Sequence, residues 1–220
     1  LGDLEQTREI CLSIMPQLSL LRETVEDLSV KLSACFVDAV SNWKERNENF
    51  IDSISIAVAN YSSEAILPSQ AEEGDMFRIL SFQLDPQKEW SSNKYVYCKV
   101  IKKGEGTDSP YFSDSIRINY RARLIPSENY PMGYVADQSF KTPEMNPEIN
   151  SPVAFWMPNL INGMSTALQY MRVGDIWRIY IPYTLGYGGK DVSSIPAYST
   201  LVYDVNLTEM ARAGSSLSPR

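Results

Sequence analysis

The chain has 220 residues, of which 44% are hydrophobic and 21% charged, the balance of a globular rather than a disordered protein. Its net charge of -7 argues against a nucleic-acid or anionic-membrane partner, because phosphate binding needs clustered Lys and Arg. With no histidine, and with three scattered cysteines at positions 11, 35 and 98, the sequence lacks the commonest general base and any metal-ligand or redox spacing. We therefore expect no metal, no cofactor and no nucleic acid.

The N-terminal part of the chain has a helical pattern. Apolar residues between Leu18 and Ala39 recur at alternating steps of three and four, with charged residues on the flanks, which is a heptad stripe. The stripe extends back toward Leu4, but Pro16 predicts a break or kink there. A further helix is predicted from about Val40 to Val58. We therefore predict a helical module over residues 1–61.

This heptad stripe has two interpretations. It can pack two or three helices of one chain against each other, or it can form the seam of a homodimer. The run is at the short end of what specifies a coiled coil, so both interpretations stay open. In a dimer, Cys35 of one chain would face Cys35 of the other.

Residues 62–93 are predicted to form a linker and an accessory strand. The segment 62–74 is polar, acidic and interrupted by Pro68, as linkers are. Residues 76–82 have a strand pattern, and residues 83–94 are rich in turn formers.

Two strands and a short helix are predicted next. Residues 95–102 form one strand, and residues 115–124 form another, in which apolar residues and Tyr120 face inward and Arg and Asn face outward. That alternation predicts a strand with one solvated face. After a long loop at 126–150, residues 162–171 form a short helix with Asn162 as its N-cap. A sheet with one helix indicates an α+β fold.

The segment 173–207 contains two further strands that flank an aromatic loop. Residues 177–181 and 201–207 both alternate with period two. In the loop that joins these strands, Tyr187 is flanked by Gly186 and Gly188. A tyrosine in such a loop has little packing role in a core. Loops on a rigid sheet are common ligand sites.

Two segments, VGDIWRIYIPYTLGYG at 173–188 and IPAYSTLVYDVNL at 195–207, resemble the C-terminal half of the domains of the FKBP family of peptidyl-prolyl isomerases. The resemblance reaches back to about Tyr95 and covers nothing before about residue 90. It implies an antiparallel β-sheet wrapped around one short helix, preceded by an α-helical N-terminal domain. The isomerase domain is then expected over 94–212, with a disordered tail at 213–220.

The resemblance also implies the site residues. Three positions match the family's catalytic residues: Tyr187, Asp137 and Tyr120. Seven more match its substrate-binding wall: Leu160, Ile161, Met164, Val153, Ile195, Tyr203 and Ala136.

The implied activity is cis-trans isomerisation of proline-containing polypeptides, which needs no nucleophile, metal or histidine. However, Ala136, Val153 and Met164 stand where the family usually has aromatic rings, so a weak or selective enzyme is expected unless Tyr130, Tyr134 or Phe140 replaces them. The alternative is a peptide-binding or chaperone module that keeps the fold without catalysis. A third possibility is a structural envelope protein held together by its helices.

The location is implied only by the resemblance, since helical arms before such a domain are similar to isomerases of the Gram-negative cell envelope or periplasm. A lipid anchor stays open: the lipobox-like Leu32–Cys35 follows charged residues rather than an apolar segment, which favours coincidence. Because the chain begins at Leu1, a signal that was removed or omitted also stays open.

Overall fold

The structure, a computed structural model, describes residues 21–26, 28, 42–62, 64–147 and 149–219. The chain divides into two units, residues 1–43 and residues 44–220. In the first unit, residues 21–26 and 28 are helical. The predicted break at Pro16 and most of the predicted heptad stripe lie outside the described residues.

Residues 42–61 form helix α1, of which residues 44–61 belong to the second unit. The other elements are β1 (Met76–Leu80), β2 (Tyr95–Lys102), β3 (Ser115–Arg123), β4 (Val135–Gln138), β5 (Val153–Trp156), α2 (Asn162–Leu168), β6 (Ile176–Ile181) and β7 (Leu201–Ala211). Single 3-10 turns occupy Pro68–Gln70, Ser92–Lys94, Met157–Asn159 and Tyr183–Leu185. None of the helices described has both the length and the apolar character of a membrane span.

The strands form one sheet in the order β1-β2-β6-β7-β3-β4, and β5 also pairs with β3. Every pairing between these strands is antiparallel. The predicted α+β fold, an antiparallel sheet wrapped around one short helix, is confirmed. The strand predicted at 95–102 has those bounds, and the strand predicted at 76–82 ends at Leu80.

Helix α2 packs on strands β1, β2 and β6. The predicted inward residues of β6 are all buried, and so is the predicted apolar face of the helix: Trp177, Ile179, Ile181, Met164, Ala167, Leu168 and Met171. Gly163 allows the close approach, because a Cβ at that position would lie 2.3 Å from Cγ2 of Ile181. This contact fixes the short helix against the sheet.

The prediction of Asn162 as the N-cap of this helix is wrong. Ile161 is the N-cap, with extended backbone and no capping side chain. The Asn162 side chain instead donates to Oε1 of Gln83 at 3.0 Å. It therefore ties the helix start to the turn after β1.

The predicted one-sided character of β3 is also wrong. Asn119 and Arg121, expected to face solvent, are 0% and 9% exposed. The Arg121 guanidinium donates to the carbonyl oxygens of Thr142 and Pro143 and lies 4.5 Å from the Phe140 ring centroid. The loop after β4 therefore covers this face, which a strand period cannot reveal.

Helix α1 packs on the opposite face of the sheet from α2. Phe50 lies 6.2 Å from the Tyr180 ring, and Tyr180 points away from the side chains that face α2 because successive strand residues alternate. Ser92 donates to Oδ1 of Asp52 at 2.6 Å, and Ile51 is only 2% exposed. Residues 44–61 are thus integrated into the sheet unit, while the domain limits at 61, 93 and 212 stay predictions.

We predict that Ile51→Ala lowers the free energy of unfolding by about 2–5 kcal/mol, because it leaves a cavity under α1. The matched control on the same helix is Ile56→Ala, since Ile56 is 62% exposed and its loss is expected to change stability by at most about 0.5 kcal/mol. Urea denaturation of both variants measures the difference. Equal midpoints for the two variants would contradict the packing of α1 on the sheet.

Candidate functional site

A cavity of about 180 Å³ lies between the sheet, the start of α2 and the loop at residues 182–200. Its lining includes seven of the residues predicted from the sequence: Tyr120, Asp137, Leu160, Ile161, Met164, Tyr187 and Tyr203. Apolar cavities of roughly 150 Å³ bind a benzene ring. This cavity therefore has room for a five-membered proline ring.

The other three predicted residues do not line the cavity. Ala136 lies in β4 beside the site, and its carbonyl oxygen accepts a hydrogen bond from Ser194 at 2.9 Å. Val153 is 38% exposed at the start of β5. Ile195 is buried and forms an isolated β-bridge with Val192. It therefore stabilises the loop rather than forming part of the cavity wall.

Three lining residues were missed by the sequence analysis: Ile118, Phe155 and Asn159. The Phe155 ring lies 5.9 Å from the Tyr120 ring and supplies an aromatic wall. Because Phe155 follows Val153 by two residues in the same strand, it lies on the same face. The period of β5 could have indicated this residue.

The rings suggested as replacements lie elsewhere. Tyr130 and Tyr134 pack on each other at 5.3 Å and are half exposed, and Phe140 lies under Arg121. None of the three is among the described residues that line the cavity. The aromatic wall comes from β5 rather than from the long loop.

The pairing of β3 with β4 brings Tyr120 and Asp137 together. The Tyr120 hydroxyl donates to Oδ2 of Asp137 at 2.8 Å, and the Gln138 backbone N–H donates to Oδ1 at 2.8 Å. The carboxylate is therefore held in one orientation at the cavity wall by a donor on each oxygen.

The tyrosine hydroxyls of the cavity are kept protonated by their surroundings. Burial raises the pKa of Tyr120, and the hydrogen bond to Asp137 and its negative charge raise that pKa further. Burial and Asp137 also raise the pKa of Tyr187, against an opposing effect of hydrogen bonding with Tyr203. The pKa of Tyr203 is raised mainly by burial, then by Tyr187 and Asp137. All three hydroxyls consequently stay protonated at neutral pH, and that of Tyr120 donates its hydrogen to Asp137.

The backbone at the start of α2 offers one more donor. The Leu160 N–H bonds to the Met157 carbonyl at 3.1 Å. The Ile161 N–H, by contrast, donates to no acceptor among the described residues. Because Ile161 lines the cavity, its N–H can serve a bound carbonyl group.

A second cavity, of about 390 Å³, lies between the end of α1, residues 64–68 and strands β1 and β2. It is larger, but none of the predicted site residues lines it. The smaller cavity is therefore the candidate site.

We predict that Asp137→Asn lowers the pH at which Tyr120 ionises. The carboxylate raises the pKa of Tyr120 through its charge and its hydrogen bond, and the amide removes the charge. NMR titration of ¹³C-labelled tyrosine measures the change, and Asp85→Asn, at an exposed turn, is the control. An unchanged Tyr120 titration would contradict the coupling between the two side chains.

The part of the chain that lines the cavity is similar to known proteins. A model of the FKBP-type peptidyl-prolyl cis-trans isomerase family matches residues 106–208. The chain is 36% identical over 115 residues to the macrophage infectivity potentiator of Trypanosoma cruzi, covering 52% of each protein. It is 36% identical over 113 residues to the FKBP-type 22 kDa peptidyl-prolyl cis-trans isomerase of Escherichia coli (strain K12), covering 51% of this chain and 48% of that protein.

Among solved structures, the crystal structure of FkpA from Escherichia coli aligns with a TM-score of 0.46 at 24% identity, over 84% of this chain and 72% of that chain. The chain spans about half the length of the curated relatives named above. The matched residues 106–208 contain every residue that lines the cavity. Through this segment, which is just under half of the chain, the protein is similar to the FKBP-type peptidyl-prolyl cis-trans isomerase family.

Proposed function

We propose that this protein is a peptidyl-prolyl cis-trans isomerase that acts on proline-containing polypeptides in the cavity of about 180 Å³. The observation that carries the proposal is the convergence of Tyr120, Tyr187, Tyr203 and Asp137 on one apolar hollow. The match of residues 106–208 to the FKBP-type family supports it, and relatives from Escherichia coli and Coxiella burnetii are named peptidyl-prolyl cis-trans isomerases.

The chemistry needs only a suitable environment. Rotation about an X–Pro bond faces a barrier of about 18–20 kcal/mol, because the amide C–N bond has partial double-bond character. The planar amide is more dipolar than the twisted one. Removing water from the bound amide therefore costs the ground state more than the transition state, and the barrier falls.

The cavity residues have separate roles in this mechanism. Ile118, Phe155 and Met164 form apolar walls that receive the proline ring and exclude water. The protonated Tyr187 hydroxyl donates to the carbonyl oxygen of the bond that rotates. The Ile161 N–H donates to a neighbouring carbonyl of the peptide and holds the chain on one side of the twisting bond.

Asp137 acts through the hydroxyl groups around it. It accepts the Tyr120 hydroxyl at 2.8 Å, which fixes the Tyr120 ring against Phe155. Its charge also raises the pKa of Tyr187 and so favours the neutral, donating form. No proton has to leave the cavity during the reaction.

The expected rate is modest. Met164 lies at the cavity floor, in place of the ring that the family usually has there, and its flexible side chain packs less rigidly than an aromatic ring. Phe155 and the three tyrosines still supply an aromatic wall. We therefore expect measurable catalysis that depends on the residue before proline.

We predict that the wild-type protein accelerates isomerisation of a short Xaa-Pro peptide in a protease-coupled assay, and that Tyr187→Phe lowers kcat/KM by about tenfold, as expected for one lost hydrogen bond. Tyr130→Phe is the matched control, because Tyr130 is 50% exposed and lies outside the cavity.

Two results would reject these assignments separately. If the wild type gives no rate above background for a panel of Xaa-Pro peptides, the isomerase proposal fails and a non-catalytic peptide-binding module remains. If the wild type is active and Tyr187→Phe is equally active, the role given to the Tyr187 hydroxyl fails.

We also propose that the N-terminal helical stripe forms a homodimer. Three described residues at stripe positions support this, because Leu21, Val25 and Leu28 are 60%, 62% and 59% exposed in the single chain, and exposed apolar residues in a stripe favour association. Light scattering is expected to give twice the 24.9 kDa chain mass and a lower mass for Val25→Glu. A monomer at every concentration would contradict the seam.

The envelope location stays a proposal from the resemblance, which cell fractionation tests.

A further inference from the structure

Helix α1 contacts the loop that carries Tyr187 at three points, and the first is Tyr183. The Tyr183 hydroxyl donates to Oε1 of Glu48 at 2.8 Å. Burial and Glu48 raise the pKa of Tyr183 to about 12, so the hydroxyl keeps its proton and the bond persists at neutral pH.

Tyr183 in turn holds the backbone on both sides of Tyr187. Its carbonyl oxygen accepts the N–H of Gly186 at 3.0 Å and the N–H of Gly188 at 2.8 Å. Gly188 has a φ of +66°, a left-handed conformation that favours glycine. The position of Tyr187 is thus set by a turn closed on Tyr183.

The second point is Tyr198, on the returning side of the loop. Its N–H donates to the Gly188 carbonyl at 2.8 Å, and its ring stands edge-on to the Tyr183 ring at 5.4 Å. Nζ of Lys44, on α1, lies 5.2 Å from the Tyr198 ring centroid. This ring therefore links the far side of the turn to the helix.

The third point is the end of the loop. The Thr200 N–H donates to Oδ1 of Asn47 at 2.7 Å, and the Thr200 hydroxyl donates to the Asn47 carbonyl at 3.3 Å. Both residues are 0% exposed. Because Thr200 immediately precedes β7, this bond fixes where the loop rejoins the sheet.

We propose that Glu48 and Asn47 are positioning residues for the isomerase reaction, which hold the loop at residues 182–200 so that the Tyr187 hydroxyl points into the cavity. This inference rests on the proposed function, since it takes Tyr187 as the donor to the substrate. A donor that is already oriented saves the cost of ordering the loop in the transition state, and small displacements of such a group reduce the rate strongly.

The test uses the full chain with changes at Glu48. Glu48→Ala removes the acceptor of Tyr183 and is expected to lower kcat about fivefold to tenfold with little change in KM. Glu48→Gln keeps an acceptor oxygen and is expected to restore most of the rate. Glu45→Ala removes the same charge from an exposed position of α1 and is expected to leave kcat unchanged.

A double-mutant cycle identifies the route of the effect. In a Tyr183→Phe background the hydroxyl is absent, so Glu48→Ala is expected to lower kcat no further. Asn47→Ala and Asn47→Asp form a second pair, in which only the aspartate keeps an oxygen for the Thr200 N–H. If Glu48→Ala keeps the wild-type kcat, the inference is overturned.

A spectroscopic measurement separates this inference from the proposed function. The ¹³C-tyrosine signals of Tyr187 are expected to shift in Glu48→Ala and to stay in place in Glu45→Ala, whether or not the protein is an active isomerase. An inactive wild type with a shifted Tyr187 signal rejects the proposed function alone. An unshifted Tyr187 signal rejects the positioning role.

Discussion

The site depends on how closely α2 approaches the sheet. At residue 163, only a hydrogen fits, because a Cβ would lie 2.3 Å from Cγ2 of Ile181. The glycine brings the helix start down onto β6, and Met164, the next residue, becomes the cavity floor. Ile161, two residues before the glycine, also lines the cavity. A short helix of Asn162–Leu168 would be marginal alone, so its contact with the sheet both stabilises it and shapes the hollow.

The chemistry of the hollow follows from removing water around a few polar groups. Burial raises the pKa of Tyr120, Tyr187 and Tyr203, so each hydroxyl stays neutral and can donate. Asp137 supplies a fixed acceptor for one of them. In the proposed reaction, a site of this kind lowers the rotational barrier of the X–Pro bond through its environment rather than through bond-making. A chain without histidine therefore loses nothing that the reaction requires, and α1 adds the contacts that hold the Tyr187 loop.

The predictable parts of this structure are those with a strong hydrophobic period and those in the segment that resembles the FKBP family. The alternation of Trp177, Ile179 and Ile181 predicted that they share one buried face. Helical spacing predicted the apolar face of α2. Contacts between distant segments were not predictable in this way. The loop over Arg121, the cap at Ile161 and the bonds from α1 to Thr200 depend on tertiary packing, which no local pattern encodes. Phe155 was not predicted because the resemblance places the wall residue at Val153, two residues earlier on the same face.

The most direct test of the account is to find where a prolyl peptide binds. NMR of the full chain with a short Xaa-Pro peptide can measure NOEs between the proline ring protons and the protein. Binding in the cavity of about 180 Å³ predicts NOEs to the Met164 methyl group and to the Phe155 and Tyr120 rings. NOEs confined to the larger cavity beside α1, at Val58 or Leu67, would contradict it.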